Sequence, residues 1–230
     1  MVAYVRGGSL QVRQRFTEDL AKAADSLRIV FSNSSASPRN PFDGVVDALD
    51  RFDALPAGRR AIPHSPARVI VSDGVDVSNG VEQTPGQSLD LDRAVLRAQR
   101  RSVAVFSIYS PTILTENAGS RLIMNGQGSL QKLSDETGGR AFFQGSIAPI
   151  SFLPFFRELS ILLNRQFLLS YLSTHMNRGY HKVEVLSTNP EIKIEGKEFL
   201  MMREDDVLGG DAVGRVALDR DRHRSRLHLW

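Results

Sequence analysis

The 230-residue chain is 41% hydrophobic and 24% charged, with a formal charge of +3, an ordinary balance for a globular protein large enough for one large domain or two small ones. It has no cysteine, which excludes disulfides and thiolate metal sites without naming a compartment. No apolar run is long enough to span a bilayer, since the longest candidate, Ile147 to Leu163, is broken by Pro149, Pro154, Arg157 and Glu158.

Met1-Val-Ala-Tyr-Val-Arg6 shows no basic segment leading into an apolar one, so no export signal is read there and the localisation is left unassigned. Val2 to Val5 and Leu10 to Phe16 flank Gly7-Gly8 and predict a β-hairpin. Thr17 is placed to cap a helix whose Leu20, Ala21, Ala24 and Leu27 fall at helical spacing. Asn33 to Asn40 reads as a loop, and its Asn33-Ser34-Ser35 sequon is short enough to be chance. Val45, Val46, Leu49 and Phe52 give the next helical stripe, followed by the basic loop Gly58-Arg59-Arg60.

Ala67-Arg-Val-Ile-Val-Ser-Asp73-Gly74 is an apolar, β-branched run that ends on an acid and a glycine. It predicts a strand buried on both faces, as in a parallel sheet covered by helices. Ligands of open α/β sheets sit at the carboxyl ends of the strands, where this pattern places Asp73. The other reading is an Asp that only caps the loop after the strand. Leu91, Ala94, Val95 and Ala98 line a helix with Asp90 and Asp92 early and Arg97, Arg100 and Arg101 late, the order that suits the helix dipole. Its arginines read as a solvated face. Val103 to Tyr109 is a second strand of the buried type. A long polar loop, Ser110 to Gly128, then leads to a short helix around Leu130 and Leu133 that Gly138-Gly139 stops. Arg140 to Phe143 predicts a short strand. Phe155, Phe156, Leu159, Leu162 and Leu163 predict an apolar helix face, and Phe167 to Ser173 with His181 to Leu186 a closing antiparallel pair.

Strands separated by helices of this length predict an α/β fold with a doubly wound, mostly parallel sheet and a C-terminal antiparallel β-hairpin. The order of hairpin, Phe16-Thr17-Glu18-Asp19, Ser72-Asp73-Gly74, Thr137-Gly138-Gly139-Arg140-Ala141-Phe142 and Arg165-Gln166-Phe167-Leu168-Leu169-Ser170-Tyr171 resembles a von Willebrand factor A-like domain. It is most similar to the bacterial VWFA-related type described from Acidobacteria, which adds a β-hairpin after its last helix. The resemblance covers Val2 to Phe199. It implies a domain over residues 1–164 and a hairpin extension over 165–200. Residues 201–230 are left as a disordered, solvated tail, in which six acids and six bases between Arg203 and Arg226 cancel and argue against a nucleic-acid arm.

The resemblance also implies a metal-ion-dependent adhesion site, where an Asp-x-Ser-x-Ser, a loop Thr and a later strand-end Asp hold Mg²⁺ through hard oxygens. Asp73 matches the last of these. No Asp-x-Ser-x-Ser occurs, and the loop Thr position is occupied by Asn40-Pro41-Phe42-Asp43-Gly44, where Asn40 or Asp43 is the nearest oxygen donor. No cofactor is therefore expected in this chain, and Mg²⁺ is expected only where the missing strand is present. In the family the absent motif closes a strand in the middle of the sheet, so the resemblance implies an N-terminally truncated copy. Either the Val2 to Val5 and Val69 to Ser72 strands pair directly, or an apolar slot with unpaired backbone remains and invites self-association. Family members commonly carry an export signal ahead of that strand, which implies an exported or cell-envelope setting for the longer form.

Enzyme signatures are absent: no Gly-x-Gly-x-x-Gly, no phosphate-binding loop and no Gly-x-Ser-x-Gly elbow. His64, His175, His181, His223 and His228 show no metal spacing. The chain is expected to be a protein-interaction module and not an enzyme, with an incomplete metal site, a protein partner, no nucleic acid and no membrane span. The alternatives are an enzyme using the crevice near Asp73, or a non-functional fragment.

Overall fold

A computed structural model describes residues 1–6, 9–27, 40–53, 67–78, 82–101, 103–112, 115, 119–145, 151–164, 166–172, 179–182, 194–196, 199–202 and 211–218. The loop Gly58-Arg59-Arg60 and the Asn33 sequon lie outside these residues. The expected hairpin is present: β1 (Val2–Arg6) and β2 (Ser9–Gln14) pair antiparallel, with Arg6 opposite Ser9 and Val5 opposite Leu10. Helix α1 (Leu20–Asp25) follows, but its cap is Asp19, which accepts from the Lys22 N–H at 3.0 Å, and Thr17 supports Asp19 instead. The helix forms where the apolar spacing predicts it, but that spacing does not mark a buried face. Leu20 and Leu27 are exposed and no residue of the helix is buried. Tyr4 Oη donates to the Ser26 carbonyl at 3.2 Å and ties the end of α1 to the hairpin.

Helix α2 (Pro41–Asp53) starts earlier than its apolar stripe suggests. Asn40 Oδ1 accepts from the N–H groups of Phe42 and Asp43, and Pro41, lacking an N–H, suits the first helical position. Phe42, Val45 and Leu49 are buried. Val5 of the hairpin sits against α2 at Gly44, where a Cβ would come within 3.0 Å of it.

The centre of the fold is a three-stranded parallel sheet. Strand β3 (Ala67–Ser72), helix α3 (Leu89–Arg100), strand β4 (Ala104–Tyr109), helix α4 (Ser120–Thr137), strand β5 (Ala141–Phe142) and helix α5 (Leu153–Asn164) succeed one another, and the strand order is β3-β4-β5. The chain is thus a mixed α/β protein. One face of the sheet packs Ile70, Val103 and Val105 against α2, α3 and Leu133 of α4. The other packs Ala104, Phe106, Ile108 and Phe142 against Leu159, Phe155 and Leu162 of α5.

Two sequence expectations change here. Strand β3 is not buried on both faces: Val69 and Val71 are 44% and 49% exposed. Among the described residues β3 pairs only with β4, and the β1–β2 hairpin forms a sheet of its own, so the direct pairing of the Val2 and Val69 strands does not form. Helix α4, second, begins at Ser120 instead of near Leu130. Gly126 and Gly128 read as loop residues, yet Gly126 is where the helix backbone lies against the Asp73 carbonyl, so close that a Cβ could not fit. Packing overrides propensity at that turn. The end of α4 is as expected, with Gly138 at φ 76° in the left-handed region and the Gly139 N–H donating to the Ser134 carbonyl.

The C-terminal pairing also differs from expectation. Strand β6 (Gln166–Leu172) does not pair with the His181 segment. Strands β7 (Gly179–Lys182), β8 (Ile194–Gly196), β9 (Phe199–Met202) and β10 (Asp211–Leu218) form two antiparallel sheets, β6-β10-β8 and β7-β9. Residues 211–218, assigned to a solvated tail, are therefore a strand. Val213 and Val216-Ala217-Leu218 carry strand propensity within a segment whose acids and bases balance. No helix among the described residues is long and apolar enough to cross a membrane.

Candidate functional site

The carboxyl end of β3 is built by a sharp turn. Gly74 has φ +69°, a conformation that favours glycine, and a Cβ there would strike the Gly126 carbonyl. Ser72 Oγ accepts from the Gly74 N–H at 3.1 Å. The turn buries Asp73, whose Oδ1 accepts from the Val75 N–H at 3.2 Å and whose Oδ2 accepts from Thr112 Oγ1 at 2.7 Å. The carboxylate thus latches the end of β3 to the loop that leaves β4. It closes its own loop, as one sequence reading held, and it also reaches across the crevice.

A second acid lies three residues on. Asp76 is buried, with Oδ1 accepting from Ser78 N–H and Oγ and Oδ2 accepting from Ser88 Oγ at 2.6 Å. Ser88 Oγ in turn caps α3 by accepting from the Leu91 N–H. Asp90 Oδ2 accepts from Asn40 Nδ2 at 2.6 Å, and Arg93 Nη2 donates to both Asp43 and Asp90. Two helix starts therefore share one polar network: Asn40 caps α2, Ser88 caps α3, and the acids lie where the positive ends of the helix dipoles favour them.

The network brings Asn40 and Asp43 together with Asp76, Ser78, Ser88 and Asp90. Asp73 belongs to a different set, with Thr112. Among the described residues, no three His, Asp or Glu side chains come together so as to hold a metal ion. His181 lies on β7, and the other four histidines fall outside the described residues. Sequence reasoning passed over Asp76, Ser78, Ser88 and Thr112 as site residues, and read Asp90 only as an acid suited to the helix dipole. Asp76-Val-Ser78 had a visible signal, since an Asp commonly accepts from the backbone two residues on. So did Ser88-Leu-Asp90, a capping Ser with an acid in the first turn. Thr112 had none, because 39 residues separate it from Asp73.

No family model matches the chain, and neither does any curated protein or solved structure. The functional reading therefore rests on geometry. Hydroxyl, amide and guanidinium donors already engage the rim carboxylates, and the rim presents short polar side chains on loops held by two capped helices and two strand ends. Such a surface can offer hydrogen bonds to a partner without rearranging.

Proposed function

We propose that the chain is a protein-interaction module of the von Willebrand factor A-like kind, binding through the rim at the carboxyl ends of β3 and β4 without a bound metal. The observation that carries this reading is the Asp73–Thr112 latch at the end of a parallel strand pair. It holds an Asp-Gly turn in place at the position where open α/β sheets receive ligands. The neighbouring acids support binding over turnover, because Asp76 and Asp90 are bonded to side chains that cap helices. An acid held this way orders loops and is poorly placed to exchange protons with a substrate.

A photo-crosslinking side chain at Ser78, on the rim, tests the reading against the same group at Arg157, on α5. A covalent adduct with one protein species from position 78 and none from 157 is the expected result. Equal labelling from both, or turnover of model esters or phosphoesters by the purified chain, would move the assignment to the enzyme alternative. Mg²⁺ is expected to leave the melting temperature unchanged. A Mg²⁺-dependent rise that Asp73→Ala abolishes would establish a metal-dependent site instead.

A further inference from the structure

The open side of β3 is a second surface, independent of the rim. The Ser72 carbonyl accepts from the Ser110 N–H at 2.9 Å, so Ser72 aims its backbone groups at β4. A strand turns these groups to opposite sides at successive residues, so those of Ala67, Val69 and Val71 aim at the open edge. Among the described residues only the start of that edge is covered, where Arg68 Nη1 donates to the Ala67 carbonyl at 3.3 Å and its guanidinium lies over the Phe16 ring. The strand has no proline, lysine or bulge, the usual devices that blunt an edge. Its bare face carries Val69 and Val71, beside Phe106 and Ile108 of β4.

We propose that two copies of the chain pair antiparallel through β3, about a two-fold axis at Ile70, and join their parallel sheets edge to edge. The strand is self-complementary in this register. Val69 faces the second copy's Val71 and Val71 its Val69, and all of these residues aim their N–H and C=O groups at the shared edge. The four valines then lie on one face, the face that α5 leaves open over β3. Charge also favours this orientation. Arg68 of each strand faces Ser72 of the other, which keeps the two guanidinium groups at opposite ends of the overlap, whereas a parallel pairing would set Arg68 against its own image. The overlap from Arg68 to Ser72 is about 17 Å long. Alone it falls short of the roughly 1,200 Å² of a stable interface, so the dimer is weak and concentration-dependent.

Sedimentation velocity of the full 230-residue chain, from low micromolar to submillimolar concentration, tests this. A monomer–dimer equilibrium is expected, weakened about tenfold or more in Val71→Lys, which puts a charge into the valine patch. Val71 is half exposed, so the variant is expected to keep the parent's melting temperature. Register is read independently with single cysteines, since the chain has none of its own. Facing residues in a hydrogen-bonded pair stand about 5.5 Å apart at Cα, within disulfide range. A mixture of Val69→Cys and Val71→Cys chains is therefore expected to crosslink, and Val69→Cys alone is not. A chain that stays monomeric overturns the proposal, as does a Val71→Lys chain that dimerises like the parent. Preferential crosslinking of Val69→Cys to itself overturns the register. A monomer that takes up a single extended peptide along β3 would make the edge a peptide groove and overturn the second-copy assignment.

Discussion

Strands β3 and β4 lie side by side in register, Ala67 with Ala104 through Ser72 with Tyr109, and both are apolar six-residue runs. Every residue of β4 is buried and none of β3 is. Neighbours account for the difference. Strand β4 has β3 on one side and, on the other, β5, the Arg140 carbonyl, which accepts from the Ser107 N–H, and Thr137 Oγ1, which accepts from the Val105 N–H at 3.0 Å. Strand β3 has β4 alone among the described residues. An apolar β-branched run therefore announces a strand, while its burial depends on what lies beyond it.

The sharpest way to break this comparison is to truncate the same layer in each strand. Ile108 and Val71 are register partners on the α5 face, the first 0% exposed and the second 49%. Ile108→Ala is expected to cost about 2–5 kcal/mol in denaturant unfolding. Val71→Ala should stay within about 0.5 kcal/mol, as half-exposed sites usually do. Equal costs would mean that β3 is covered in solution, and if the loss at Val71 grew with protein concentration, the cover would be a second copy.

The carboxyl ends of the strands give the next test. Gly126→Ala would drive a Cβ into the Asp73 carbonyl, and α4 could accommodate it only by moving off the β3 turn. A loss of about 1–3 kcal/mol is expected from such overpacking. Gly86, which has open space around it, is the control, and Gly86→Ala should change stability little. Similar effects at both positions would show that α4 does not press on the turn.

Thr137→Val asks whether the care taken over β4 matters energetically. The substitution keeps shape and removes the acceptor of the buried Val105 N–H, at an expected cost of about 1–3 kcal/mol for the orphaned donor. Amide exchange should localise the effect, with protection lost first at Val105. An unchanged exchange rate there would show that another acceptor has taken over.

These contrasts also show what was legible in the sequence. The hairpin, the parallel strands and the helices with a strong apolar stripe could be read, because period and turn residues are local properties. Asp73 could be placed at a strand end for the same reason. Relations between distant segments could not be read. The exposure of Val69 and Val71 depends on whether another strand lies beside β3, and the helical spacing of the α1 apolar residues does not say whether anything covers them; Leu20 and Leu27 are exposed. Gly126 looked like a loop residue because its reason for being glycine is the Asp73 carbonyl, 53 positions earlier. The partner of β6 proved to be Asp211–Leu218, across a segment whose charges masked its strand propensity. At the rim, the Asx and capping signals of Asp76 and Ser88 were local and available, whereas Thr112 and the meeting of Asn40 with Asp90 required the fold.

The smallest effect is expected at Asp73 itself, and it separates the latch from the local turn. Thr112→Val removes the hydroxyl that donates to Asp73 Oδ2 but leaves Oδ1 accepting from the Val75 N–H. Hydrogen bonds to charged groups contribute about 1.5–3 kcal/mol, and water entering the rim can replace part of that, so a loss near 1 kcal/mol is expected. Asp73→Asn should cost less, because the amide keeps an oxygen for Val75 and the Thr112 hydroxyl can turn to accept from its nitrogen. If the rim binds its partner through the loop that Thr112 anchors, Thr112→Val will weaken crosslinking from position 78 more than Asp73→Asn does. The reverse order would assign recognition to the carboxylate's charge and reduce the latch to a structural fastening.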